Sequence, residues 1–280
     1  MPLRPFPALL LRRDSERVLV VADLHIGWEI ALAEKGIHIP SQTSKMLDRM
    51  VQVIKASKPT SLIFLGDVKH TVATAELGEW QDVPDFFEAI GEMVQDIRIV
   101  PGNHDGTLEP LLPENVKILP STGIALWKDI GLFHGHSWPA PELLGCRSLI
   151  IGHVHPTVAF RDPMGFRITR QVWVKATCNG VQLAKFILKH LNIKVDRDAA
   201  DILKNRFNTR LRASQLLILP SFNKFLGGQP MNQKGAGKSA KSKMFIGPIL
   251  RSKIVDMDNA ELYLLDGTFL GAIDQLRALA

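Results

Sequence analysis

The sequence is short of cysteine: only Cys146 and Cys178 occur in 280 residues. They show no metal-ligand spacing, and two reduced, structural thiols are the expectation for a cytosolic protein. Long hydrophobic runs are also missing. No apolar stretch approaches the length that spans a bilayer, and the opening MPLRPFPALLLRRD lacks the pattern of a signal peptide. The expectation is a soluble, cytoplasmic protein with no membrane partner. There is no internal repeat. Finally, acidic residues are absent from Ile202 to Val255, where eleven lysines and arginines occur. The formal net charge is +6, yet the rest of the chain holds 23 basic against 28 acidic residues. An acidic body with a basic later segment points to a polyanionic partner.

What is present is a series of short apolar runs that end alike. Leu62-Ile63-Phe64-Leu65 reads as a buried strand, broken by Gly66 and followed by Asp67. Val18 to Ala22 ends in Asp23, with His25 two residues on. Ile97 to Val100 ends in Pro-Gly-Asn103-His104-Asp105. Ile130 to Phe133 ends in His134-Gly-His136, and Leu149 to Ile151 in Gly-His153-Val-His155. Carboxyl ends of buried strands are where open α/β sheets bind ligands. A single aspartate or histidine there is ordinary turn chemistry. Five such endings in one chain are not.

Between these runs, Ser41 to Ala56 and Trp80 to Gln95 carry apolar residues at helical spacing. Ala8 to Leu11 and Val18 to Ala22 flank a hairpin turn. Strand-helix-strand-helix-strand predicts a parallel sheet with covering helices. After Asp105 strands crowd together: Val116 to Leu119, Ala125 to Trp127, Gly131 to Phe133, Leu149 to Ile151, Thr157 to Phe160 and Phe166 to Val174. This half reads as a second sheet, mixed or antiparallel, continued by Leu216 to Leu219 and Leu262 to Leu265. Between the last two, residues 229–243 (QPMNQKGAGKSAKSK) have the composition of a basic, mobile insertion. One domain over 1–280 with that insertion is expected.

The strand ends supply Asp23, His25, Asp67, Asn103, His134, His153 and His155. Carboxylate oxygens mixed with imidazole nitrogens suit manganese, iron or zinc. Seven ligands are too many for one ion and suit two ions that share a carboxylate, about 3.5–4 Å apart, with a hydroxide held between them for in-line displacement.

The order D-x-H, G-D-x-x-H, G-N-H-D, H-G-H and G-H-x-H resembles the calcineurin-like metallophosphoesterase superfamily. More narrowly, VVADLHIGWE, KGIHIPSQT, LGDVKH, PGNHDG, FHGHSWP, IIGHVHP and VWVKA are similar to archaeal SbcD-related phosphoesterases and bacterial DNA-ligase-associated metallophosphoesterases. The likeness extends toward LLILPSFNKFLGG and AELYLLDGT. It implies a four-layer α-β-β-α sandwich of two facing mixed sheets, and two divalent ions, manganese first, with iron, zinc, nickel or cobalt as alternatives. It also implies that Asp23, His25, Asp67 and His155 hold one ion, and that Asp67, Asn103, His134 and His153 hold the other, His134 being chosen over His136. His104 would act on the substrate, Asp105 would orient it, and His70 matches a histidine near the scissile phosphate in SbcD-type nucleases. DNA-repair or helicase proteins are the partners this resemblance implies.

The first expectation is a phosphodiesterase or nuclease acting on DNA, RNA or cyclic nucleotides. Arg210, Arg212, Lys224, Lys234, Lys238, Lys241 and Lys243 are the candidate phosphate contacts. Aromatics among them are few, Phe222 and Phe225, so little sequence specificity is expected. Two other readings stand beside it: a phosphomonoesterase or nucleotide pyrophosphatase with the same ions, and a non-catalytic scaffold. The intact ligand set and His104 argue against the scaffold.

Overall fold

A computed structural model describes residues 1–72, 76–162, 164–196, 198–233 and 246–279. The chain divides into two compact units: Met1–Ser121 with Ser221–Gly227, and Thr122–Pro220 with Gly228–Ala280. Each is built on its own sheet, and the expected α/β class with two mixed sheets and accompanying helices is present.

In the first unit, β1 (Leu9–Arg13) and β2 (Glu16–Val21) form the expected hairpin. β3 (Ser61–Leu65) and β4 (Ile97–Val100) then add parallel to β2, in register Val21 with Phe64 and Phe64 with Ile99. Every residue of β3 is buried, as its unbroken apolar run requires. The connections are helices α1 (Ile30–Ala33), α2 (Thr43–Ser57) and α3 (Leu77–Gly91). Met46, Met50, Val53 and Ile54 of α2 and Val83, Phe86, Phe87 and Ile90 of α3 pack in the core that covers this sheet. Because β2, β3 and β4 are parallel, the loops bearing Asp23, Asp67 and Asn103 leave the sheet at one edge. One expectation is corrected here. The sequence places Val116 to Leu119 in the second sheet, but β5 (Val116–Ile118) pairs parallel to β4 and completes the first. Its run is too short for periodicity to report which sheet it joins.

The second unit holds a nine-stranded sheet. It contains β6 (Ile124–Leu126), β7 (Ile130–Leu132), β8 (Ser148–Ile151), β9 (Pro156–Arg161), β10 (Arg167–Thr177), β11 (Gln215–Ile218), β12 (Gln229–Pro230), β13 (Glu261–Leu264) and β14 (Phe269–Ala272). The long β10 pairs with β9 through its first half and with β11 and β13 through its second. β7 and β8 are parallel, so His134 and His153 follow strands that end at the same edge. Helices α4 (Gly180–His190) and α5 (Ala199–Phe207) cover this core with Leu183, Ile187, Leu188, Ile202 and Leu203. The short α6 (Pro248–Arg251) and α7 (Ile273–Leu276) complete the unit.

The first residues assigned by composition to the insertion belong to the fold. Gln229–Pro230 pairs parallel with β9, and Met231 and Asn232 are buried. The Asn232 amide accepts from the amide of Ala159 and donates to the carbonyls of Ala159 and Leu276, which ties this stretch to the core. Lys234, Lys238, Lys241 and Lys243 lie outside the described residues. No helix among the described residues is long and apolar enough to cross a membrane.

Candidate metal centre

Past the ends of β2 and β3 the two chain segments stay laddered: His25 N–H donates to the Asp67 carbonyl (2.8 Å), Ile26 N–H to that of Val68 (2.8 Å), and His70 N–H to that of Ile26 (2.9 Å). This carries Asp23, His25, Asp67 and His70 into one place in the first unit. Asp23, His25 and Asp67 take left-handed backbone angles, with φ of 58°, 47° and 51°. Such turns cost on the order of 1–3 kcal/mol for residues other than glycine and persist only where the surroundings enforce them.

Asp67 is buried and is the hub of this cluster. One oxygen accepts the backbone N–H of His104 (3.0 Å). The other lies 3.5 Å from His25 Nε2 and 4.0 Å from His104 Nε2. Asp23, His25 and Asp67 each offer a ligand atom within 4.8 Å of the others, and so do His25, His70 and His104. The His25 ring meets that of His104 edge-on at 4.7 Å and that of His70 at 5.2 Å. Carboxylate oxygen and imidazole nitrogen, clustered and buried, form a donor set that fits a first-row divalent cation. Asn103 is exposed on the turn after β4.

The family resemblance gives the orientation of His104 to Asp105, and the structure adds contacts from other residues. His104 Nδ1 lies against the carbonyl of His70. A carbonyl only accepts, so Nδ1 is the donor in that contact and Nε2 is left facing Asp67. The Asp105 carboxylate accepts the amides of Val68 (2.9 Å), Lys69 (3.4 Å) and Gly102 (2.8 Å), bracing the loop of Asp67 against the loop of His104. A further brace was not read from the sequence. Buried Glu79, in the first turn of α3, accepts the amides of His70 (2.9 Å), Thr71 (2.7 Å) and Glu76 (3.0 Å). Gly27, at φ 86°, makes room for it, since a Cβ there would stand 2.8 Å from Glu79 Cγ. The spacing Glu76-x-x-Glu79 at a helix start was the available signal.

In the second unit, buried His134 and half-buried His153 offer nitrogens within 4.8 Å of each other, and their rings meet edge-on at 5.0 Å. His136 stands 6.2 Å from His153 and contacts His134 through Nδ1 at 3.0 Å. Burial first, and the neighbouring His134 second, push the His136 pKa down to about 4, so that ring is neutral at pH 7. His153 and His155 again have left-handed angles, φ 67° and 46°. Glycines seat these loops: a Cβ at Gly228 would stand 2.3 Å from the His155 carbonyl, and one at Gly247 would stand 2.4 Å from that of Gly135.

The described candidate nucleic-acid contacts fall in both units. Lys224 belongs to the first unit, Arg210 and Arg212 to the second. Arg212 is engaged with Asp129 at 2.9 Å.

Comparison with known proteins gives a family match over residues 16–150, to the model described as calcineurin-like phosphoesterase. Among solved structures the chain is similar to Pseudomonas putida nuclease MPE, with 17% identity, 94% of this chain and 100% of that chain covered, and a TM-score of 0.48. It is also similar to Yfce, a phosphoesterase from E. coli, with 21% identity, 52% and 73% covered, and a TM-score of 0.33. No curated protein sequence matches.

Proposed function

We propose that this chain, whose residues 16–150 belong to the calcineurin-like phosphoesterases, is a two-metal phosphodiesterase that cleaves nucleic acid or nucleotide-like diesters. The observation that carries this reading is the Asp67 cluster: a buried carboxylate ringed by His25 and His104, both within 4.0 Å. Buried carboxylates are costly without a cation to neutralise them, and this donor set suits one. Asp23, His25, Asp67 and His155 would hold one ion. Asp67, Asn103, His134 and His153 would hold the other, with His134 preferred to His136 because its ring approaches His153 more closely. When bound, such a pair supplies the charge that clamps the attacking and leaving oxygens of an in-line displacement. Manganese is the first choice of metal.

The remaining work falls to the protein. His104, partly exposed and fixed at Nδ1 by the His70 carbonyl, would deliver its Nε2 proton to the leaving oxygen. Asp105 and Glu79 hold the loops that carry His104, Asp67 and His70 in place. A reducing, cytoplasmic setting suits the two buried, unpaired thiols. The test is hydrolysis of bis-para-nitrophenyl phosphate against para-nitrophenyl phosphate, with manganese added. Preference for the diester is expected. Hydrolysis of the monoester alone would make the protein a phosphomonoesterase, and hydrolysis of neither would leave a scaffold.

A further inference from the structure

We propose that a cleft of about 390 Å³ in the first unit, between α2 and the strap Ser221–Gly227, is a subsite that grips one nucleotide of a single-stranded nucleic acid. The proposal rests on the phosphodiesterase reading for why such a ligand is present, but its evidence is separate. Its volume lies in the range of small-ligand sites. Lys45, Arg49 and Lys224 line it, and Asp48 is the only carboxylate among the lining residues. None of the three cations makes an ion pair among the described residues.

Arg49 is the informative one. It is half-buried, its Nη1 donates to the carbonyl of Phe222 (3.0 Å), and its guanidinium lies 5.4 Å from the centre of the Phe222 ring. A partly desolvated guanidinium without a carboxylate is unfavourable, and burial lowers its pKa. A phosphate satisfies it in the geometry for which arginine is preferred, two parallel N–H donors to two oxygens. Beside it, Phe225 is 40% exposed, a high value for so large an apolar ring. The ring is stacked on Trp28 at 5.7 Å and 15°, and Lys224 Nζ stands 5.1 Å from its centre. A rigid aromatic platform next to cations is the combination that holds single strands without reading sequence.

The strap is also fastened to the loop that carries Asp23 and His25. Phe222 N–H donates to the Ala22 carbonyl (2.8 Å), Ser221 Oγ to that of Asp23 (2.8 Å), and Asn223 Nδ2 to that of Leu24 (2.9 Å). Trp28, the platform's backing, lies in the same loop. A nucleotide held in the cleft is therefore held by a strap that is fastened to the segment bearing two of the candidate ligands.

The test is fluorescence anisotropy of end-labelled oligo-dU and oligo-rU with the full chain, over a salt series in EDTA, so that no cleavage intervenes. Phe225→Ala should weaken binding about 5- to 150-fold, the value of one stacked base. Phe225→Leu, which keeps the bulk but not the π-face, should show a similar loss. Lys45→Ser with Lys224→Ser should lower the slope of log affinity against log salt by about 1.4, two single-strand contacts. Losses on both oligonucleotides support a shared phosphate-and-base grip; a loss on one alone supports the subsite and names the sugar it prefers. Parent-like affinity and slope in all variants, or an equal loss on duplex DNA, would overturn it. Turnover of bis-para-nitrophenyl phosphate by the parent with manganese reads the phosphodiesterase proposal separately. Turnover with an unaltered grip defeats the subsite alone, and an altered grip without turnover defeats the catalytic reading alone.

Discussion

The two units present their candidate ligands on differently supported loops. In the first unit the loops after β3 and β4 are tied together by carboxylates: Asp67, Asp105 and Glu79 all accept backbone amides from neighbouring segments, and the loop after β2 joins them through backbone hydrogen bonds. In the second, His134, His153 and His155 sit on loops seated by glycines, with Gly228 and Gly247 touching backbone where a Cβ would collide. The difference follows from charge. Acidic side chains taken out of water need N–H donors aimed at them. A neutral imidazole, such as that of His136, needs mainly space and a second ring nitrogen to face. Both units bend the backbone into left-handed turns at the candidate ligands, so the strain is shared while its support is not.

This contrast can be broken most severely at Asp67. Asp67→Asn should abolish metal binding and turnover together, a loss of several kcal/mol in transition-state stabilisation, or about 10³-fold or more. Metal content by elemental analysis and turnover of the diester check it; full occupancy with normal turnover would remove Asp67 from its role. Next, His104→Ala should keep its metal and lose about 10²- to 10⁴-fold in rate. The loss should be larger for an alkoxide leaving group than for para-nitrophenolate, which needs less protonation. Equal losses would instead give His104 a role in holding the phosphate.

Two stability measurements sharpen the comparison. Asp105→Ala removes the acceptor for three amides of the first unit and should cost about 3 kcal/mol in chemical denaturation. Gly228→Ala forces a Cβ onto the His155 carbonyl of the second unit and should cost about 1–3 kcal/mol. If Gly228→Ala proved neutral, the glycine seats would not be what shapes those loops. The smallest effect concerns the thiols. Burial pushes both Cys146 and Cys178 up to about 11, so neither is ionised near pH 7, and labelling by a thiol reagent should be slow until the protein unfolds. Rapid labelling of the native chain would contradict their burial.

Much of this was legible in the sequence because it is local. An unbroken apolar run such as Leu62 to Leu65 identifies a buried strand, and Asp67 follows it without any need of the rest of the chain. The helix α2 is evident from Met46, Leu47, Met50, Val51 and Ile54 at helical spacing, of which Met46, Met50 and Ile54 are buried. Helices α4 and α5 went unassigned although Asn179 and Asp198 cap them through Gln182 N–H and Ala200 N–H. A capping residue by itself does not distinguish the start of a helix from a turn. Tertiary structure alone decided the rest. It assigned the three-residue β5 to the first sheet, because strand partners are a non-local choice. It gave His104 its partner in the His70 carbonyl, made Asp105 and Glu79 into braces, and brought the strap Ser221–Gly227 from far along the chain to the loop of Asp23. Those contacts join residues distant in sequence through backbone atoms, which every residue carries alike, and so no residue type announces them in advance.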